Sequence, residues 1–379
     1  MTPSSSIWAL NSRVHSTSAI RLLTGINSIP APSALPSATS GTSSTPRPRL
    51  TRNKQPCNGH VEFCNRKFSN VSMVVTHNSP FVVPHNIASN QELYVLQQLH
   101  DGIRGLQFET RMFNGTLSLC HTTCDLLNVG TLEAYLRTVA CWLKKHPYEV
   151  ISIMMGNGNR VAPTTYIAPF KNAGLLRYVY TPPSRNMTLD QWPTLSEMIL
   201  ENRRVVVMLD YLANQTQVPW LLDEFAYQWQ TQFSPTDANF PCTVQRPVNQ
   251  PPEVSRNYMY MANHNLNVVI PVRLGDNPVL IPAYTLLKKV NAVQGNGSLG
   301  RHVDDCIAMW GRPPNWLLVD YYNYGNFNGS VFQVAASANN VSYDRKSCCE
   351  TVAKSEADIG KLPALLWRVA GIALISRLM

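Results

Sequence analysis

Residues 71–80 read VSMVVTHNSP and residues 102–111 read GIRGLQFETR. The first is a β-branched run that stops at His77; the second puts Gln107, Glu109 and Arg111 at i, i+2 and i+4, one face of a strand. Working outward, residues 116–120 are a further candidate strand. Residues 131–145 read as a helix, with Leu132, Tyr135, Leu136, Val139 and Leu143 on one side and Pro147 as the stop. Residues 150–155 are a near-continuous apolar run, as a strand covered on both faces requires. The cycle repeats with a helix at 195–201, a strand at 204–209, a helix at 219–231, a strand at 258–262, a helix at 298–309, a strand at 316–321 and a helix at 330–339. This alternation predicts parallel strands joined by crossovers. No repeat of about 20 to 50 residues and no G-x-x-x-x-G-K is present, and the one G-x-G-x-x-G, at residues 295–300, follows no candidate strand. The expected fold is therefore α/β, a single (β/α)8 barrel, rather than a doubly wound nucleotide-binding sheet.

Charge divides the chain. Of the net +9, residues 1–56 carry +6 through Arg13, Arg21, Arg47, Arg49, Arg52 and Lys54 with no acidic residue, which leaves +3 for residues 57–379. An excess confined to one leading arm gives no basic binding face, so nucleic acid is not an expected partner. The Ser/Thr/Pro-rich composition of residues 1–56 predicts a disordered arm. A transit peptide, or an extended gene start in place of a secretory signal, is the competing reading, because Arg21 and Thr24 interrupt the apolar stretch that a signal needs. The barrel is expected over residues 57–343 and a tail over 344–379. That tail is read as docked or frayed, or as a glycolipid-anchor signal with Arg368 set against it. Apolar residues are 44% and charged residues 15%, yet no apolar run reaches the roughly 18 residues of a membrane span.

Nine cysteines and seven Asn-x-Ser/Thr triplets, at Asn70, Asn114, Asn186, Asn214, Asn296, Asn328 and Asn340, favour an oxidising, glycosylating route and a secreted or cell-surface location. The odd cysteine count leaves one thiol unpaired or paired between chains. No pair of C-x-x-C units is present, so no structural zinc site is expected. Cys120 and Cys124 flank His121, and Cys57 precedes Cys64 by seven; both read as local disulfides, though a metal site is an alternative for the first.

In an α/β barrel the groups at the carboxyl ends of the strands converge on one face. Two apolar runs here end in a histidine, His77 and His121, and between them lie Glu109 and Arg111. A base, an acid and a cation suit the cleavage of a phosphodiester. The plain alternative is that each histidine is a hydrogen-bonded loop residue. His100 and His146 read as surface residues, and His264 is the other histidine at a plausible strand end.

The run CNGHVEFCNRKFSNVSMVVTHNSP at residues 57–80, followed by GIRGLQFETR, LCHTTCDLLNVGTLEAYL, DQWPTLSEMI, LLDEF and SLGRHVDDCIAMWGRPPNWLLVDYYNYG, resembles secreted fungal proteins of the phosphatidylinositol-specific phospholipase C-like phosphodiesterase superfamily. The resemblance spans about residues 57 to 349 and implies a TIM-type barrel. It makes His77 the general base and His121 the general acid. In the inositol-lipid enzymes a ring hydroxyl of the substrate attacks its own phosphate, which renders the step unimolecular. Asp320, ending the last expected strand, would lie beside the first and orient His77; a capping or solvated aspartate is the alternative.

Departures from the family pattern bear on metal. Asn78 follows the first histidine, as in the calcium-dependent animal enzymes, but their carboxylate positions match Gln107, Glu109 and Met154, of which Glu109 alone is acidic. Ca²⁺ prefers about six to eight oxygens, several of them charged, so a metal-independent mechanism is expected, with Ca²⁺ or Mg²⁺ through Asn78 and Glu109 as the alternative. Arg111 lies two residues beyond the position matching the bacterial phosphate-binding arginine. The expectation is a monomeric phosphodiesterase acting on a phospholipid or related diester, with peripheral membrane contact. The competing reading is a non-catalytic cell-surface barrel that binds a phosphorylated or glycan ligand.

Overall fold

The structure, a computed structural model, describes residues 54–274, 277–326, 330–345 and 349. The leading arm and tail read from the sequence therefore lie almost wholly outside the described residues, as do the sequon at Asn328 and Cys348. In chain order the elements are β1 (Met73–Thr76), α1 (Val95–Asp101), β2 (Gly105–Phe113), β3 (Thr116–Cys120), β4 (Asn128–Thr131), α2 (Leu132–Lys145), β5 (Ile151–Asn157), α3 (Ile167–Asn172), α4 (Leu195–Leu200) and β6 (Val205–Leu209). They continue with β7 (Leu221–Asp223), β8 (Gln228–Gln230), α5 (Pro252–Ser255), β9 (Met259–Asn263), β10 (Asn267–Leu274), β11 (Asn277–Pro282), α6 (Leu287–Val290), α7 (Leu299–Trp310), β12 (Trp316–Val319) and α8 (Ser330–Ala338).

Local chemistry explains the helix ends. Thr131 caps α2 by accepting from the Ala134 amide at 3.2 Å, Glu133 sits in its first turn and Lys144 and Lys145 in its last, matching the helix dipole. Thr194 and Glu197 form a reciprocal capping box on α4. Ser298 caps α7, which stops at Gly311 in the left-handed region (φ +73°).

Eight strands form one parallel sheet in the order β7-β6-β5-β2-β1-β12-β9-β8. Its edges, β7 and β8, are consecutive in the chain and joined by only four residues. A flat eight-strand sheet would hold its edges about 34 Å apart, whereas that link reaches no more than about 18 Å. The sheet must therefore curl into the expected barrel. Side chains bridge the seam: buried Glu224 accepts from Gln228 at 2.8 Å and also from Gln230.

Alternation then sorts the residues. Val74, Ile151, Ile153, Val205, Val207, Leu317 and Val319 face outward into a core shared with the helices. Their neighbours Met73, Val75, Met154, Val206, Met208, Met259, Met261, Trp316 and Leu318 fill the barrel. Phe63, Phe68 and Trp192 join this inner cluster, with Phe68 packed on Trp192 at 5.2 Å. Further along each strand the inward positions turn polar, which sets the site at the carboxyl ends.

Two expectations change. Residues 219–231 are not a helix: their apolar spacing imitates one, but Leu221–Asp223 and Gln228–Gln230 pair with β6 and β9 to complete the wall. The strand at 116–120 is present but antiparallel to β2, and with β4 it extends a hairpin beyond the barrel. The stretch 266–282, which follows the expected strand at 258–262, is largely the antiparallel pair β10–β11. The local disulfides Cys57–Cys64 and Cys120–Cys124 are present, and Cys242–Cys306 adds a link across 64 residues. Cys349 is also disulfide-bonded, and Cys141 is an exposed free thiol.

One close approach sets how α7 meets the segment that follows α6. A Cβ on Gly300 would stand 1.6 Å from the carbonyl oxygen of Val293, a backbone atom that cannot rotate aside. Gly300→Ala is expected to lower unfolding stability by about 3 kcal/mol, read as a lower midpoint in chemical denaturation with an unchanged slope.

Candidate active site

The inward polar positions begin with β1. The His77 amide donates to the Val319 carbonyl at 3.0 Å, extending the ladder to β12, and this register sets the His77 ring against Asp320. His77 Nδ1 donates to Asp320 Oδ1 at 2.7 Å, which leaves Nε2 as the lone-pair nitrogen. Asp320 is 2% exposed, and its Oδ1 also accepts from Asn90 Nδ2 at 3.0 Å. Its backbone is pinned as well, because Asn291 Nδ2 donates at 3.0 Å to the carbonyls of both Asp320 and Tyr321, the latter left-handed at φ +44°. Gln91 Nε2 spans the two strands, donating to the carbonyls of His77 and Val319.

Asn78 is left-handed (φ +50°), a conformation that asparagine tolerates, and its amide donates to Gln107 Oε1 at 3.0 Å. The turn aims its side chain between two rings: Asn78 Nδ2 lies 3.1 Å from His77 Nε2 and 3.1 Å from His121 Nε2. Those two nitrogens are therefore at most about 6 Å apart, a gap of phosphate size. His121 arrives from the other side, because the β2–β3 hairpin carries it back to the rim and the Cys120–Cys124 disulfide closes its loop. Phe81 stacks on the ring at 5.1 Å, and Nδ1 donates to the Ala88 carbonyl at 2.5 Å. Burial pushes His121 down to about 4, with the Ala88 carbonyl acting in the opposite direction and His77 nearby adding to the depression.

His77, Asn78, His121, Glu109 and Arg111 line one cavity of about 850 Å³. Glu109 and Arg111 form an ion pair at 3.0 Å, and neither is hydrogen-bonded to the histidines. Burial raises the Glu109 carboxyl, while Arg111 draws it down. Arg111 Nε is buried without a hydrogen-bond partner, so the guanidinium keeps a donor in hand. As a cation site this set fits poorly: the Asn78 nitrogen faces the rings, Gln107 Oε1 is spent on a backbone amide, Met154 offers no hard donor, and Glu109 is taken by Arg111.

The opposite wall was not anticipated. Asp210 follows β6 and lies 3.6 Å from Arg246, whose guanidinium donates to Tyr211 Oη at 3.1 Å and stands 4.8 Å over the Phe233 ring. Burial raises both Asp210 and Glu224, the latter to about 7. Asp210 was detectable, since it ends an apolar run just as His77 does. Glu224 was hidden by the helical reading of residues 219–231. Arg246, Asn90 and Asn265 sit in loops with no periodic signal. His100 is exposed, as read, whereas His146 is half-buried and stacked on Trp142, and His264 is buried behind the site.

Comparison with known proteins follows the same lines. The PI-PLC X family model matches residues 63–335. An uncharacterized secreted protein of Arthroderma benhamiae is 52% identical over 336 residues, covering 88% of this chain and 75% of that one. The PI-PLC X domain-containing protein 1 of the same organism is 39% identical over 273 residues, covering 71% of this chain and 86% of that one. Among solved structures, the phosphatidylinositol-specific phospholipase C of Listeria monocytogenes aligns with a TM-score of 0.45 at 15% identity, over 73% of this chain and 95% of that one. No helix among the described residues is long and apolar enough to cross a membrane. On the extent of the family match and the identity to its relatives, the chain belongs to the PI-PLC X family.

Proposed function

We propose that this protein is an extracellular, metal-independent phosphodiesterase that cleaves a phospholipid or related phosphodiester by paired general base and general acid catalysis. The observation that carries the reading is the pair of Nε2 atoms flanking Asn78 Nδ2 at 3.1 Å each, with both Nδ1 atoms committed elsewhere. His77 Nε2 takes the proton from a hydroxyl of the substrate, and that oxygen attacks phosphorus. As the bond to the leaving oxygen breaks, His121 Nε2–H delivers the proton to it. Asp320 stabilises the imidazolium formed on His77. Asn78 Nδ2 and the free Nε–H of Arg111 are the donors offered to the phosphoryl oxygens. Asp210, Arg246 and Tyr211 present carboxylate, guanidinium and aromatic face together, a combination suited to a polyhydroxylated head group such as inositol. The secreted relative, the disulfides and the sequons support an extracellular setting.

Purified protein incubated with a panel of phosphatidylinositol and other phospholipids is expected to release a phosphorylated head group from at least one. His77→Ala and His121→Ala should each lower kcat/KM by about 10² to 10⁴, and Asp320→Asn should lower it with the substrate KM little changed. Unchanged turnover in His77→Ala would overturn the proposal. Tight binding of a phosphorylated polyol without turnover of any lipid would favour the non-catalytic barrel, and loss of activity with a chelator, restored by Ca²⁺, a metal-dependent route.

The state of His121 gives a second test. Without substrate it is neutral above about pH 4, whereas an anionic phosphoryl group beside it favours the protonated form. The alkaline limb of kcat/KM, which reports the free enzyme, is therefore expected at lower pH than the alkaline limb of kcat. Rates on a soluble diester between about pH 4 and about pH 9 measure both, and coincident limbs would contradict the assignment of His121 as acid.

A further inference from the structure

Away from the phosphodiester site, α7 presents His302 and Cys306 four residues apart on one face, and the loop after β8 lays Cys242 against them. All three are buried, and one ligand atom from each, a His302 ring nitrogen and the two Sγ atoms, lie within 4.8 Å of one another. Trp310 Nε1 holds the loop in place by donating to the Cys242 carbonyl at 2.9 Å.

The hydrogen bonds fix the state of the imidazole. His264 Nε2 lies 2.8 Å from the Val290 carbonyl, which can only accept, so Nε2 carries the proton and His264 Nδ1 the lone pair. His302 Nδ1, 3.0 Å from that lone pair, must donate to it. The remaining nitrogen, His302 Nε2, is consequently a bare lone pair, and it is buried without any hydrogen-bond partner. A neutral imidazole oriented by an outer hydrogen bond, with one ring nitrogen within 4.8 Å of two sulfurs and Nε2 left unpartnered, is the arrangement of a metal ligand. Within a disulfide the sulfurs cannot serve as thiolates; as a dithiol they can.

We propose that Cys242 and Cys306, when reduced, form with His302 a binding site for a zinc-class divalent cation, so that this position exchanges a disulfide for a metal. A thiol or phosphine reductant supplies two electrons, and the disulfide takes these and two protons to give two thiols. Zinc then displaces both thiol protons and accepts the two thiolates and His302 Nε2, with water as the fourth ligand. The Cα atoms of Cys242 and Cys306 are 5.2 Å apart, so side-chain rotation with a small loop adjustment provides the spacing of two thiolates on one ion.

The test compares full-length protein, oxidised and phosphine-reduced, titrated with Co²⁺ as a spectroscopic stand-in and with Zn²⁺ in competition, folding being followed by circular dichroism. Reduced wild type is expected to bind one equivalent with a thiolate charge-transfer band, and oxidised protein none at this position. His302→Gln should weaken binding at least 10-fold, and His264→Phe, which removes the outer hydrogen bond together with that to the Val290 carbonyl, by about 10- to 100-fold. Cys242→Ser/Cys306→Ser removes the band while the other seven cysteines remain, which separates this site from other thiols. The proposal is overturned if reduced wild type binds no more tightly than that double variant, if the two histidine variants bind as well as wild type, or if reduced protein unfolds and Zn²⁺ does not restore it.

Discussion

Four residues joining the two edges of an eight-strand parallel sheet are the constraint on which the rest depends. They forbid a flat sheet, and a curled one brings every strand's carboxyl end to a single rim. The same closure sets β12 beside β1, in the register Thr76 with Val319, so that the next residues, His77 and Asp320, face each other. Residues 243 apart in sequence thereby share one hydrogen bond. The interior below the rim is filled by methionines and tryptophan, with flexible thioethers taking up the irregular space of a barrel whose seam is bridged by side chains.

Much of this was legible because the barrel writes its period into the sequence. Outward positions are β-branched and inward ones alternate with them, so the runs at 71–76, 150–155, 204–209, 258–262 and 316–321 declared themselves. Both histidines were found by the same rule, that a polar residue closing such a run stands at the rim. The rule failed at β7 and β8, three residues each, too short to establish a period of two; Leu221, Leu222, Phe225, Ala226 and Trp229 satisfy a helical period equally well. The far wall of the cavity was lost with them, since Glu224 belongs to that segment and Arg246 to the loop beyond it.

What sequence could not supply was orientation. Asn90 and Asn291 look like ordinary loop residues, yet each fixes Asp320, the carboxylate partner of His77, through a hydrogen bond, and Asn78 reaches both histidine rings. Their importance arises from contacts between segments far apart in the chain, and no local pattern encodes those. The pairing of Cys242 with Cys306 was beyond reach for the same reason, because it joins a loop to the inner face of a helix across the barrel flank.

The amide of Asn78 has a further consequence, seen by counting hydrogens against lone pairs. Its nitrogen carries two hydrogens but lies 3.1 Å from each of three acceptors, His77 Nε2, His121 Nε2 and Asn90 Oδ1. Close by, Asp320 Oδ2, Asn263 Oδ1 and Asn265 Oδ1 are buried with no donor at all. Around Asn78 the acceptors thus outnumber the hydrogens offered to them. A guest rich in O–H groups relieves that shortage, whereas one that presents only ester oxygens adds to it.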